Sequence, residues 1–361
     1  MPDTGECIDP RLPWVRSSSN FEEARALSGA GPRLRALKDA GARFGDQLRG
    51  GPRVLSVDTL PLTSFPYPTK RAFDGALRLP LPYVLVTHRA LLVTFEAEGE
   101  TRRLLFNPTQ WRASLAAPFF RRLVERFGPA AAERLRGDFP PLLEQLAKLG
   151  IAPEQIDILA FDHFHSQDLR PLLGCEIPDE EDRTPGPLFP NALLLAPRVE
   201  WESWDDLHPV QRAWYVADGK VGVPSERVVL TDADLSLGDG LALVRTPGHT
   251  LGNQTLFAHH GDGVFGCSEN GVSADAWTPY ESRLPGLPSF ARGYDLEVVR
   301  NANSLELGAE QYTSMMLERE IVDRVGDAPA FVRMFPSSEV TPSLLAPGVF
   351  PSQVFESAPA A

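Results

Sequence analysis

Residues 157–170 have the sequence DILAFDHFHSQDLR, in which a short apolar run changes abruptly into a polar segment. Residues 158–161 have the length and composition of a buried β-strand. The polar segment places His163 and His165 two positions apart, so in an extended chain both side chains point to the same side. Two imidazoles on one side of the chain, directly after a buried strand, are typical of a site for a borderline metal such as zinc or iron.

A third histidine, His249, lies in the sequence TPGHTLG at residues 246–252, which reads as a tight turn after the apolar run 241–244. A helix, a strand, a His-x-His motif and, much later, a Thr-Pro-Gly-His-Thr-x-Gly turn, in this order, resemble the metallo-β-lactamase fold superfamily. The resemblance extends over roughly residues 54–351. It implies an α+β fold, a four-layer αβ/βα sandwich, here with an N-terminal extension. It also implies that the three histidines bind a metal ion.

The chain departs from the superfamily pattern where a second metal ion is usually bound. The pattern is His-x-His-x-Asp-His, and its last two positions are Gln167 and Asp168 in this chain. A later turn usually carries a histidine in a Pro-Ser-His-Glu-like sequence, and residues 336–339 read PSSE. The resemblance therefore implies a divergent member with a degenerate second site and a mononuclear three-histidine centre.

Four further residues are candidates for roles in this centre. Cys267 follows a short strand where the superfamily places a bridging ligand, so it is a candidate fourth ligand, although free cysteines are commonly core residues. Glu269 is a candidate ligand or general base. Asp168 is a candidate metal ligand, a base toward water, or a partner of Arg170. Asp162 is expected to orient a metal-binding histidine. We thus predict Asp168 and Glu269 as catalytic residues.

Composition limits the classes of partner and compartment. The net charge of -13 argues against nucleic acid, and no apolar run approaches the length of a membrane span. Three cysteines in 361 residues predict no disulfide framework. Residues 1–6 show no secretory signal, so we expect a cytoplasmic protein.

The domain prediction divides the chain at residue 52. Residues 1–52 are predicted as an N-terminal arm and helix, and residues 53–361 as the metallo-β-lactamase-like domain. Within the latter, we predict a helix over 200–216, an exposed hairpin turn at residues 259–260, and an acidic, proline-rich surface loop over 177–187 with its acidic run at 179–182. The loop-rich insertion near 271–305 is typical of a substrate lid.

These features predict a metal-dependent hydrolase. It would use water activated by one divalent metal ion, with zinc the first choice and iron the alternative, on an ester, lactone, thioester or amide of a small molecule. Two alternatives stay open: a mononuclear iron oxygenase or other redox enzyme, and a non-catalytic member of the fold. The predicted partner is a small-molecule substrate, with neither nucleic acid nor a membrane involved, and a homo-oligomer is left open.

Overall fold

The computed structural model describes residues 5–178, 184, 186–261, 263–302 and 307–355. The acidic run 179–182 of the predicted surface loop lies outside these residues, as do positions 303–305 of the predicted lid. The strands are β1 (Arg16–Ser18), β2 (Ser56–Pro68), β3 (Tyr83–Ala97), β4 (Glu100–Phe106), β5 (Ile158–Ala160), β6 (Leu193–Pro197), β7 (Val228–Thr231), β8 (Asp234–Gly238), β9 (Leu241–Arg245), β10 (Gln254–His260), β11 (Gly263–Ser268), β12 (Met334–Pro336) and β13 (Ser338–Thr341).

The helices lie mainly between and outside these strands. They are α1 (Glu22–Arg25), α2 (Ala30–Gly50), α3 (Thr69–Ala72), α4 (Trp111–Ser114), α5 (Pro118–Phe127), α6 (Pro129–Leu135), α7 (Leu142–Lys148), α8 (Arg170–Leu173), α9 (Arg198–Ser203), α10 (Leu287–Tyr294) and α11 (Gly308–Ile321). In the described ranges, no helix combines the length and the apolar character that crossing a membrane requires.

The strands form two sheets. One has the order β1-β8-β9-β10-β11-β12, and the other has the order β13-β3-β4-β5-β6-β7, with β2 paired to β3. The run β4-β5-β6-β7 is parallel, so the carboxyl ends of these strands reach the same edge of their sheet. Strands β11 and β12 are also parallel, whereas β8, β9 and β10 pair antiparallel.

The two sheets pack face to face around an apolar core. On β3 and β4, alternate residues Leu91, Val93 and Leu104 join the cluster that contains Leu243 and Phe265 of the facing sheet. The intervening residues of both strands join a second cluster with the outer helices, as the two-residue period of a strand requires. The layers therefore run helix, sheet, sheet, helix, and the predicted α+β αβ/βα sandwich is confirmed.

The N-terminal extension is part of this body. β1 pairs with β8 at the edge of a sheet, and α2 packs along α11. The two helices approach closely at Gly45, where a Cβ atom would lie 2.5 Å from the carbonyl oxygen of Ile321. The boundary at residue 52 stays a prediction.

Three details differ from the sequence predictions. The helix predicted over 200–216 is confined to α9, and turns follow it, because Pro209 cannot continue a helical hydrogen-bond ladder. His259 and His260 lie within β10 and are buried, so the exposed turn is wrong at these positions. The described part of the 271–305 insertion is packed into the core, with Trp277 and Leu287 fully buried. Its role as a lid stays a prediction.

Candidate metal centre

The three predicted ligands come from two loops at one edge of the sandwich. The loop after β5 carries His163 and His165, and the turn after β9 carries His249. The backbone amide of Gln254 donates to the carbonyl of Asp162 at 2.9 Å, which joins the end of one loop to the start of the other. The packing of the two sheets thus brings together histidines that are more than eighty positions apart in the chain.

The three imidazoles form a compact, buried cluster. One ring nitrogen from each of His163, His165 and His249 lies within 4.8 Å of the others. The ring centroids are 4.4–4.9 Å apart. Burial lowers the pKa of His165 and of His249 well below the ordinary value, and the charge of His163 lowers both further. These two rings are therefore neutral at physiological pH, which is the ligand form of histidine.

Hydrogen-bond acceptors hold the outward nitrogens of two of these rings. Nδ1 of His163 lies 2.7 Å from a carboxylate oxygen of Asp162, and Nε2 of His165 lies 2.6 Å from Oε1 of Gln211. Since both partners accept, the ring protons are assigned to these outward nitrogens. Nδ1 of His165 is then a lone-pair donor 3.2 Å from Nε2 of His249, a contact that a cation stabilises. The donor set fits a borderline divalent metal ion.

Asp162 has the orienting role that the sequence predicts, and its own position is fixed by neighbours from three segments. Its carboxylate accepts hydrogen bonds from the amide nitrogen of His163 at 2.8 Å, from the side chain of Asn107 at 3.2 Å, and from the hydroxyl of Ser337. A carboxylate with this many donors keeps its charge although it is buried. The ring of His163 is therefore held rigidly.

Glu200 was missed by the sequence analysis and ties the two histidine loops together. Its carboxylate accepts from the amide of Phe164 at 2.9 Å, from the hydroxyl of Tyr215 at 2.6 Å, and from the amide of Gly252 at 3.0 Å. Gly252 has no room for a side chain, because a Cβ atom would lie 2.3 Å from that of Glu200. The signal in the sequence that could have identified Glu200 is a glutamate within a stretch rich in aromatic residues.

A second buried carboxylate supports the His249 turn from the opposite side. Asn270 accepts a hydrogen bond from the amide of His249 at 3.3 Å and donates from its Nδ2 to Glu318 of α11 at 2.8 Å. Burial raises the pKa of Glu318 to about 6. Within the turn, Gly248 has φ 148°, and a Cβ atom there would lie 2.1 Å from Cα of Gln311. Only glycine fits at this position.

The other predicted residues lie apart from the histidine cluster. Cys267 alternates with Val264 and Gly266 on β11 and points into the core between the sheets, where burial raises its pKa far above the ordinary value. Asp168 accepts two hydrogen bonds from the guanidinium of Arg170, at 2.8 and 2.6 Å. Of the roles left open for Asp168, the structure displays the pairing with Arg170.

Glu269, in contrast, lines the same cavity as the histidines. Its Oε2 accepts a hydrogen bond from the amide of Ser338 at 2.9 Å. Burial raises the pKa of this carboxyl well above the ordinary value, and the charge of Asp162 raises it further. The structure thus brings Glu269 together with the three histidines, whereas Asp168 and Cys267 are not among the described residues that line the cavity.

The cavity has a volume of about 60 Å³ and two kinds of wall. Aromatic rings form one side: Phe65, Trp111, Phe120 and Trp214. Uncharged polar groups form another: Thr63, Tyr67, His88, Thr109, Gln167 and Ser338. The described lining residues include neither lysine nor arginine. Such a cavity suits a small neutral molecule with an apolar part.

No family model and no curated protein matches the chain. Among solved structures, it is similar to a probable metal-dependent hydrolase from Staphylococcus aureus, at 12% identity over 73% of this chain and 82% of that chain, with a TM-score of 0.47. It is also similar to AbOPH, a hydrolase in the beta lactamase superfamily, at 15% identity over 74% of this chain and 84% of that chain, with a TM-score of 0.43. A third similar structure is AidC, a dizinc quorum-quenching lactonase, at 12% identity over 74% of this chain and 84% of that chain, with a TM-score of 0.44. At this level, similarity transfers neither activity nor metal number to this chain.

Proposed function

We propose that His163, His165 and His249 hold one divalent metal ion, zinc first and iron as the alternative, and that the chain is a metal-dependent hydrolase. The observation that supports this most is the arrangement of hydrogen-bond acceptors around the rings. Acceptors hold the outward nitrogens of His163 and His165, so the remaining lone pairs of both rings face the cluster. Two lone pairs that converge beside the ring of His249 suit a bound cation better than a core that only satisfies hydrogen bonds.

A divalent ion on three neutral imidazoles keeps open positions and supplies Lewis acidity toward a carbonyl and toward water. The chain's own contribution to proton transfer is assigned to Glu269. Because Oε2 accepts from Ser338, Oε1 is the oxygen that holds the proton of this carboxyl. Burial raises the pKa of this carboxyl, which favours its protonated form, and a protonated Glu269 could deliver the proton to a leaving group.

The substrate class proposed is a small neutral carbonyl compound: an ester, lactone, thioester or amide. The described lining supports neutrality, because it has neither lysine nor arginine and includes the carboxylates of Asp162 and Glu269, which disfavour an anionic substrate group beside them. The aromatic side, which includes Trp111 and Trp214, supports an apolar or aromatic substituent.

Metal analysis followed by turnover tests the proposal. Protein purified without chelators should contain about one zinc or iron per chain, and chelation should abolish turnover of neutral aryl esters and lactones, with recovery on metal addition. Iron together with substrate-dependent oxygen uptake would move the assignment to the redox alternative. Protein that takes up no divalent metal would overturn it. Bound metal without turnover of the four carbonyl classes would favour the non-catalytic alternative.

A further inference from the structure

We propose that the wall formed by His88, Thr109, Gln167 and Ser338, where the superfamily usually binds a second metal ion, recognises a neutral carboxamide-type group of the substrate. In this arrangement, Oε1 of Gln167 accepts from the N–H and the hydroxyl of Thr109 donates to the carbonyl. The inference rests on the proposed function, because it names the substrate group that the same cavity reads.

The orientation of the Gln167 amide is fixed by its neighbours. Its Nε2 donates to Oγ1 of Thr109 at 2.8 Å and to the carbonyl of His165 at 3.2 Å. A carbonyl can only accept, so the nitrogen must face it and Oε1 must face away. Oε1 is buried and has no hydrogen-bond partner among the described residues, and Gln167 is only 5% exposed. A buried acceptor of this kind is uncommon, and a bound donor would satisfy it.

The position of the proton on the His88 ring determines which other groups of the wall can donate a hydrogen bond. Its Nε2 lies 3.3 Å from the carbonyl of Asn107 and 2.8 Å from Oγ1 of Thr109, so this nitrogen carries the proton. Its Nδ1 then accepts from the hydroxyl of Ser338 at 3.0 Å. Thr109 thus accepts from both His88 and Gln167, and its own hydroxyl proton is free to be donated. The wall offers one acceptor and one donor.

Size and charge restrict what this pair of groups can read. The cavity has a volume of about 60 Å³, which suits a small polar group of the substrate. Its described lining has neither lysine nor arginine and includes the carboxylates of Asp162 and Glu269, so a carboxylate or phosphate at this wall would have no cationic side chain as a partner. A neutral group with an N–H beside a carbonyl matches both the acceptor and the donor.

Two probes that differ in N-methylation test the proposal. Benzamide has the N–H and the carbonyl, whereas N,N-dimethylbenzamide keeps the carbonyl and carries two methyl groups in place of the N–H. Calorimetry on the metal-loaded protein should show benzamide binding about tenfold more tightly. Gln167→Met should remove that difference, and Thr109→Val should weaken both probes. Gln145→Met is the matched control, because the Gln145 amide also donates to two carbonyls, those of Pro61 and Pro140, away from the cavity.

The wild-type comparison stands even if a variant fails to fold. Equal affinity for the two probes, or binding of neither, would overturn the inference, as would a preference that persists in folded Gln167→Met. Metal content and ester turnover are measured on the same samples. A benzamide preference in protein without metal or turnover supports the subsite while the hydrolase proposal fails. Metal and turnover without a preference mean that the subsite alone has failed.

Discussion

The histidine cluster and the polar wall with Gln167 and Ser338 line the same cavity but differ in the groups that they could offer to a metal ion. On one wall, His163, His165 and His249 converge within 4.8 Å, and neighbouring acceptors fix their protons. On the other wall, Gln167 and Ser338 are neutral hydrogen-bonding groups. The difference teaches that a wall without metal-binding side chains can still be an ordered part of a site. The second wall is an ordered polar network with one unsatisfied oxygen.

His249→Ala should give the largest effect, because it removes one of three metal-binding nitrogens. We expect metal content to fall to background and turnover to fall more than about 100-fold, beyond the usual cost of losing an outer hydrogen-bond partner. Elemental analysis and steady-state kinetics measure both. His208→Ala, at an exposed histidine, is the control. Full metal content in His249→Ala would show that His249 is not needed to bind the metal ion.

Asp162→Asn sharpens the comparison on the histidine wall alone. The substitution keeps the volume but removes the charge that holds the ring of His163, so metal affinity should fall about 10- to 100-fold. Competition with a chromophoric chelator measures this affinity. Asp232→Asn, at a largely exposed carboxylate, should leave it unchanged. An unchanged affinity in Asp162→Asn would show that the ring is held by other contacts.

His88→Gln tests the polar wall through the pH dependence of the free energy of unfolding. Burial lowers the pKa of His88 to about 4, more than the charge of Asp162 raises it, so the folded protein keeps this ring neutral. Its contribution to stability is present above the ordinary value of 6.5 and is lost as the pH falls toward 4, by about 1.4 kcal/mol per pH unit.

Urea unfolding at pH 7 and pH 5 measures this contribution. The variant should lose about 2 kcal/mol less than the wild type between the two pH values, because the unfolded chain no longer gains a proton at this position. Identical losses in both proteins would mean that His88 is protonated in the folded state.

Asp168→Asn should have the smallest effect. Its carboxylate is held by the guanidinium of Arg170, and Asp168 is not among the described residues that line the cavity. We expect turnover to change by less than about threefold, because no step of the proposed chemistry uses this carboxylate. A loss comparable to that of His249→Ala would give Asp168 the catalytic role that its sequence position suggested.

The sequence is sufficient for the parts of the site that depend on local spacing. His163 and His165 are two residues apart, and His249 sits in a recognisable turn. The direction of the Cys267 side chain could also be predicted, because Cys267 lies two residues after Phe265 on β11 and therefore on the same face of the strand, which packs into the core between the sheets. The ligand role of Cys267 stays a prediction.

Other parts depend on long-range contacts that spacing does not encode. Gln211 reaches His165 across 46 positions, and Glu200 reaches Phe164 across 36. Both lie in a stretch predicted as one helix, whereas only its first residues are helical. The fold class was predictable because the His-x-His motif and the turn that carries His249 occur in an order that resembles the metallo-β-lactamase fold superfamily. The supporting polar contacts were not, because they depend on how turns pack after the sheets have met.

The Glu200 carboxylate, shared between the two histidine loops, bears on the order in which the protein matures. Because one side chain already fastens both loops, the chain can adopt its native form before any cation arrives. Loading is then a late and reversible event on a finished scaffold, unlike the metal-driven folding of zinc fingers. Stripped protein should keep its circular dichroism spectrum and regain its ion without passing through an unfolded state.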